Sequence, residues 1–375
     1  MSTAARTAVP FVDFQAHLKP LRAEIDAAVA RVLDSGWFIL GPEGEAFERE
    51  LAAAMGAREA VAVANGTEAI QLGLEAIGVG PGDDVVTSSM SAAFTALAIA
   101  RSGARPVFAD VDPETSNVTP ESLERALTPK TRALVPVHLY GQPADMDAVM
   151  ELAQRKGVQV LEDAAQAHGA LWRGRTVGTI AGLGALSFYP TKNLGAFGDG
   201  GALLVEDAAV ATRLRQLRNG GQRERSRHEL SGINSRLDEI QAAILRVKLR
   251  HLGAWTERRR AIAAQYSEAL QGLGLGLPVE RPGARAVWHL YVVRHPARER
   301  ILAGLAERGI GSLIHYPIPL HLQPAFLQHG VQPGGLRSVE ALAKQLFSLP
   351  MYPELSDEQV RAVVQALRET LAALA

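Results

Sequence analysis

The sequence predicts an α/β fold: a seven-stranded, mostly parallel sheet wrapped by helices, followed by a smaller α+β domain. Three observations predict it. From about residue 60 to residue 205, short β-rich runs alternate with helical stretches, the pattern of a sheet built by crossover connections. Several of those runs are apolar throughout instead of alternating, as strands buried on both faces are. After about residue 230 the alternation gives way to long helical periodicity. At 375 residues the chain also exceeds the size at which one hydrophobic core stops growing, so two lobes are expected, 1–245 and 246–375.

Taken in order, Leu18, Leu21, Ile25, Val29, Val32 and Leu33 recur at three- and four-residue steps and predict a helix that Ser35-Gly36 ends. A second helix follows Gly41-Pro42, carries Phe47, Leu51 and Met55 inward, and stops at Gly56. The strand runs are Ala60 to Ala64, Asp84 to Ser88, Arg105 to Ala109, Arg132 to Val137, Val158 to Leu161, Ala185 to Tyr189 and Ala202 to Val205. Helices over Glu68 to Ile77, Ser91 to Ser102 and Met146 to Lys156 connect them. Arg236 to Leu270 reads as one long helix. Two strand-like runs follow, Trp288 to Arg294 and Ser312 to Tyr316, and Ser356 with Gln359 three positions on marks a capping box that starts the last helix.

Composition narrows the classes. With 47% hydrophobic and 21% charged residues, collagen-like, coiled-coil and disordered chains are excluded. Lys+Arg of 39 against Asp+Glu of 40 gives a net charge of −1, so nothing draws the chain as a whole to nucleic acid or an anionic membrane. Without cysteine there are no disulfides, thiolate metal sites or thiol nucleophiles, and no metal is expected. Met1 to Pro10 lacks a leader pattern, and no run of about eighteen apolar residues exists, so a soluble cytoplasmic protein is expected.

Four segments carry chemistry. Asn65-Gly66-Thr67-Glu68-Ala69 lies between a strand and a helix, where backbone N–H groups, the helix dipole and the Thr67 hydroxyl together suit an anion; the plain alternative is a helix cap with Thr67 at N-cap. Val160 to Gly169 puts Asp163 at the C-terminal end of a parallel strand, where such a carboxylate can hold a protonated ring nitrogen or merely cap a helix. Leu186 to Gly195, followed by Gly198-Asp199-Gly200-Gly201, sets Lys192 in a Pro- and Gly-bounded turn, with Ser187 as a further phosphate donor. Most lysines are solvated, but one held in a cleft by close backbone approach loses its proton readily and becomes a nucleophile. In Asn234 to Ala243, Asn and Ser at a helix start are by themselves ordinary caps, and Arg-Asp-Glu can be simple surface pairing.

In that order, with Phe38-Ile39-Leu40-Gly41-Pro42-Glu43, Phe47-Glu48 and Val137-His138-Leu139-Tyr140-Gly141, these segments resemble the DegT/DnrJ/EryC1/StrS sugar aminotransferases over nearly the whole chain. The resemblance implies an aspartate-aminotransferase-like fold (fold type I) that uses pyridoxal 5'-phosphate. It implies that Lys192 forms the Schiff base with the cofactor and shuttles the substrate proton, that Asp163 pairs with the ring nitrogen, and that Gln166 lies near the ring hydroxyl. Gly66, Thr67 and Ser187 are implied to hold the phosphate. Asn234 is implied to reach the phosphate of a neighbouring subunit, which makes the expected unit a homodimer with shared active sites. Gly311 to Pro324 is similar to enzymes acting on nucleotide-linked 3-keto sugars, which implies an amino acid, L-glutamate, as donor and a 3-keto (6-deoxy)hexose or 3-keto uronic acid as acceptor. In or near that segment, His289, His315, Tyr316 and His321 are candidates for sugar or diphosphate contacts, with purely structural roles as the alternative. One position departs from the family: Ala92 stands where many relatives stack an aromatic residue on the cofactor ring, with Phe94 two residues on.

Other readings are weaker. A dehydratase or epimerase on the same cofactor is disfavoured because the sugar dehydratases replace the lysine with histidine, and Lys192 is present. A non-catalytic regulator of the same fold would have eroded Lys192 or Asp163. An NAD enzyme would need a G-x-G-x-x-G turn after the first strand, which the sequence lacks.

Overall fold

The computed structural model describes residues 8–374; Met1 to Thr7, most of the stretch inspected for a leader, and Ala375 lie outside the described residues. The central strands are β1 (Glu59–Val63), β2 (Asp84–Ser88), β3 (Arg105–Ala109), β4 (Thr131–Val135), β5 (Gln159–Val160), β6 (Glu162–Asp163), β7 (Leu183–Ser187) and β8 (Gly201–Val205). The order β3, β2, β4, β5 is parallel throughout. β6 pairs parallel to β7, and β8 runs antiparallel between β7 and β1. β5 and β6 are two halves of one extended run. On one side Leu161 N–H donates to the Leu134 carbonyl (3.0 Å) and Asp163 N–H to the Pro136 carbonyl (2.9 Å); on the other, Glu162 and Asp163 pair with β7. That run joins both groups of strands into one mostly parallel sheet and leaves Asp163 at its C-terminal edge.

The uninterrupted apolar runs have a direct cause. Along β8, Ala202 and Leu204 pack into one core with Phe47 and Leu186, whereas Leu203 and Val205 pack into a second with Ile70 and Leu72. Successive side chains point to opposite faces, so a strand covered on both sides has no polar position. Helices Pro42–Met55 and Met146–Lys156 cover the first face, and Gly66–Ala76 and Ala208–Leu217 the second. Leu203 and Leu204 are fully buried, worth about 2–3 kcal/mol each in transfer terms.

Beyond the sheet, β9 (Tyr291–Arg294) and β10 (Leu346–Leu349) form an antiparallel pair. With helices Leu252–Leu270, Arg298–Glu307 and Asp357–Ala372 they enclose a separate core that contains Ile262, Tyr266, Tyr291, Phe347 and Val363. Val9, near the start of the chain, packs into this core as well. Ser356 caps the last helix as expected: its hydroxyl accepts from Gln359 N–H, and the Gln359 side chain accepts from Ser356 N–H.

Several expected boundaries shift. The long helix is two, Glu239–Leu249 and Leu252–Leu270, because its halves serve different cores: Ala242 and Leu245 pack under the sheet, Ile262 and Tyr266 in the C-terminal cluster. It begins at Glu239, not Arg236, because the buried Glu239 carboxylate accepts N–H groups of Gly41 (3.0 Å), Glu43 (2.8 Å) and Gly44 (2.9 Å). The first periodic segment splits at Lys19-Pro20 into Phe14–Leu18 and Arg22–Ser35, since proline has no N–H to continue a ladder. Trp288 takes a left-handed φ of 48°, so the strand starts only at Tyr291. Ser312 to Tyr316 forms no strand; Leu313 makes a single bridge to Ser348.

Candidate active site

The site is assembled where β6 and β7 end and the Gly66–Ala76 helix begins. Asn65, not Thr67, is the N-cap, its side-chain oxygen accepting from Glu68 N–H at 2.9 Å. That frees the N–H groups of Gly66 and Thr67 and the Thr67 hydroxyl, which among the described residues have no hydrogen-bond partner. An added Cβ on Gly66 would lie 2.6 Å from Cβ of Ser187, so only glycine lets the helix start meet the end of β7 this closely. Free amides, two hydroxyls and the positive end of a helix dipole converge there, a cradle for a phosphate.

Asp163 is 4% exposed and is held from two sides. The Thr95 hydroxyl donates to Oδ2 at 2.7 Å, and Ala165 N–H donates to Oδ1 at 3.1 Å. No helix follows Asp163, so it caps none. Three residues on, Gln166 accepts from Tyr140 N–H (2.8 Å) and donates to the Tyr316 hydroxyl (3.1 Å). Tyr140 itself has φ 59°, and its hydroxyl donates to the His315 carbonyl. The turn ends on Gly141, φ 89°, where a Cβ would lie 2.8 Å from the His289 amide nitrogen. The Val137-to-Gly141 motif therefore ties the sheet edge to the C-terminal segment.

Beneath Asp163 lies a second, fully buried carboxylate. Glu162 accepts N–H groups of Gly178 and Ala181, both at 2.7 Å, and faces His138 Nε2 at 3.0 Å. Because His138 Nδ1 accepts from Ala144 N–H, the proton of a neutral ring sits on Nε2 and points at Glu162.

Lys192 sits in a turn fastened at each end. Its own N–H donates to the Tyr189 carbonyl at 2.8 Å, Asn193 donates to the Val287 carbonyl at 2.9 Å, and the Lys248 ammonium donates to the Gly195 carbonyl. The Lys192 amine has no hydrogen-bond or ion-pair partner among the described residues. Burial pulls its pKa down to about 8, with the Asp163 charge acting to raise it. Three histidines share this low-dielectric surrounding. Burial first, and the Lys192 charge second, bring His168 to about 3 and His315 to about 4 and hold His289 well below its usual range, so all three are neutral at pH 7.

A cavity of about 500 Å³ opens over Lys192, lined also by His289, His315, Arg259 and Glu354. Of the candidate substrate residues, His289 and His315 line it, with His289 Nδ1 at 3.2 Å from Asn193 and His315 Nδ1 at 2.8 Å from Ser348. Tyr316 stands behind it against Gln166, its phenol pushed up to about 12 by burial. His321 is elsewhere, between Ser89 (2.7 Å) and Glu340 (3.2 Å). Asn234 is exposed, and its neighbour Ser235 is buried and accepts from Ala64 N–H at 3.1 Å. Phe94, the aromatic nearest Ala92, is 61% exposed at the start of helix Phe94–Arg101.

These residues fit pyridoxal phosphate on structural grounds: an open phosphate cradle at Gly66, a donor-supported buried carboxylate at Asp163 and an unpartnered, easily deprotonated amine at Lys192. The sequence reading missed Thr95, Glu162 and Arg259. Thr95 alone carried a signal, four residues after Ser91 in the stretch expected to be helical; the helix begins only at Phe94, and the Thr95 hydroxyl lies 3.2 Å from that of Ser91.

The chain is similar to known proteins over nearly its whole length. Residues 19–368 match the family model described as the DegT/DnrJ/EryC1/StrS aminotransferase family. The chain is 50% identical, over 98% of both chains, to dTDP-3-amino-3,4,6-trideoxy-alpha-D-glucose transaminase of Streptomyces venezuelae. It is 41% identical to UDP-2-acetamido-2-deoxy-3-oxo-D-glucuronate aminotransferase of Pseudomonas aeruginosa, over 96% of this chain and 99% of that one. Among solved structures, S. venezuelae DesV superposes with a TM-score of 0.95 at 50% identity, over 97% of this chain and 98% of that one.

Proposed function

Because the chain belongs to the DegT/DnrJ/EryC1/StrS aminotransferase family, we propose that it moves an amino group from L-glutamate to C3 of a nucleotide-linked 3-keto sugar. It is a pyridoxal-phosphate-dependent sugar aminotransferase; the donor, the carbon and the sugar are our reading. Two similar enzymes, the Streptomyces and Pseudomonas transaminases, carry a C3 amine or a 3-oxo group in their names, which supports amination at C3. The acceptor is a 6-deoxyhexose or a hexuronic acid.

Pyridoxal phosphate, when bound, supplies an electron sink for the carbanion left when the donor's Cα loses its proton. The chain's own residues do the rest. Lys192 Nζ, free of partners and drawn toward neutrality, takes the Cα proton and, with the cofactor bound, would deliver it to the carbon on the far side of the transferred nitrogen. Asp163, fixed by Thr95 and Ala165, holds a proton on the ring nitrogen. Gly66, Thr67 and Ser187 grip the phosphate, and Gln166 stands by the ring hydroxyl. His289 and His315 remain neutral on the wall of the cavity, where they can exchange hydrogen bonds with sugar hydroxyls. Asn234, exposed beyond the sheet, completes the phosphate site of a second copy, so the working unit is a homodimer with shared sites.

The observation that carries this reading is the unpartnered Lys192 amine within a donor-lined cavity beside Asp163. The test is turnover: the enzyme with L-glutamate and a dTDP- or UDP-linked 3-keto hexose should release 2-oxoglutarate and a 3-amino sugar nucleotide, and Lys192→Ala should release neither. Amination at C4 with no product from 3-keto sugars would overturn the assignment of position.

A further inference from the structure

One wall of the cavity carries polar groups that the proposed chemistry does not use. Arg259, on helix Leu252–Leu270, is 6% exposed. Its Nη1 donates to the carbonyls of Met351 (2.8 Å), Trp288 (3.2 Å) and His289 (3.4 Å). Its Nε is buried without a partner. Among the described residues no carboxylate contacts the guanidinium, and the edge formed by Nε and Nη2 makes no hydrogen bond. The hydroxyl of Tyr352, 4% exposed, is also buried and unpartnered. Both residues line the cavity with Lys192.

Glu354, a carboxylate on the same wall, does not satisfy them. Its Oε1 lies 2.6 Å from His17 Nδ1. Asp13, which also lines the cavity, accepts from Ala16 N–H at 2.9 Å. Burying a cation without an anion in contact is costly, and buried donors left unmade are rare enough to need a reason. The unpartnered guanidinium edge carries two parallel N–H groups, the fork that matches the two oxygens of a carboxylate. Burial also raises the Tyr352 phenol to about 12, so it stays a donor.

We propose that Arg259 and Tyr352 form a subsite that recognises a carboxylate of the substrate. This rests on the transaminase reading and deepens it. Two substrates could bring that group: the amino acid, or a sugar acceptor of the uronic class. A diphosphate is a different ligand, and the test separates it.

Binding of three probes to the purified holoenzyme by calorimetry decides the matter: glutarate for the amino-acid carboxylates, UDP-glucuronate for a sugar carboxylate, and UDP-glucose for the nucleotide diphosphate alone. Arg259→Gln should weaken at least one carboxylate probe by about tenfold or more, and Tyr352→Phe by a few fold, while UDP-glucose stays within about twofold. Loss confined to glutarate assigns the subsite to the amino acid. Loss of the preference for UDP-glucuronate over UDP-glucose assigns it to the sugar. Arg259→Lys keeps the cation but not the fork; if the glutamine variant does not fold, a selective loss of carboxylate binding by the lysine variant supports the subsite equally well. Equal weakening of all three probes, no weakening of any, or a wild-type enzyme that binds neither carboxylate probe would overturn the proposal. Because these measurements read binding, a failure to aminate a given keto sugar leaves them standing, and their failure leaves the transaminase reading intact.

Discussion

The Thr95 hydroxyl donates to Oδ2 of Asp163 across 2.7 Å, linking the start of a helix after β2 to the end of β6. A buried carboxylate that must hold a proton on a ring nitrogen is thereby kept in one rotamer by a side chain that touches nothing else in the proposed chemistry. Thr95→Val removes one hydrogen bond to a charged group, worth about 1.5–3 kcal/mol, and so should lower kcat by about tenfold or more. Thr95→Ser should restore most of it. A merely structural threonine would instead lower the melting temperature and leave kcat of the folded fraction unchanged.

Asp163→Asn should be far more severe. An amide cannot keep the ring nitrogen protonated, and several kcal/mol of transition-state stabilisation disappears, about a thousandfold or more in rate. Asp163→Glu should keep part of the activity. Single-turnover rates on cofactor-saturated protein provide the check; an asparagine variant within tenfold of wild type would reduce Asp163 to a packing residue.

The Lys192 amine sets a pH dependence. Its pKa in the fold, about 8, is below the ordinary lysine value because burial disfavours the charged form. Only the neutral amine attacks an aldehyde, so capture of pyridoxal phosphate by the cofactor-free protein should accelerate as pH rises through about 8 and then level off. The visible absorbance change on mixing measures it. An ordinary solvated lysine would give a rate still climbing toward pH 10.

Much of this was legible in the sequence, for physical reasons that particular residues display. Leu203 and Leu204 could be read as strand because a segment buried on both faces leaves no polar position in its pattern. Asp163 and Lys192 could be read because strand ends and glycine-bounded turns are local features. What stayed hidden depends on distance along the chain. Glu239 caps residues about two hundred positions before it, and nothing near Arg236 says that the helix must wait for Glu239. Arg259 looks like one more basic residue on an amphipathic helix; only the fold shows that it faces the cavity.

Glu162 gives a stability prediction. Its carboxylate is fully buried and takes donors from Gly178, Ala181 and His138, so Glu162→Ala strands all three. The cost should be about 3 kcal/mol or more, since each buried donor left unsatisfied costs about 1–3 kcal/mol. Denaturant titration measures it. Glu162→Gln keeps the shape and two of the contacts and should lose less; a loss under about 1 kcal/mol for the alanine variant would mean that water replaces the carboxylate.

The last prediction concerns how two chains share a site. Asn234 is exposed while Ser235 beside it is buried, so the segment is anchored through Ser235 and leaves Asn234 free to reach outward. The anchoring bond runs to Ala64, next to the chain's own phosphate cradle, so a contact within the same chain is the competing geometry. Mixing two inactive variants separates them. In a heterodimer of Lys192→Ala with Asn234→Asp, a shared site combines the intact lysine of one chain with the intact asparagine of the other, and random exchange should restore about a quarter of wild-type activity. If each Asn234 serves its own chain, every site in the mixture lacks one of the two residues and no activity returns. Size-exclusion chromatography with distinguishable tags verifies exchange, and a mixture that exchanges yet stays as inactive as its parents would overturn the shared site.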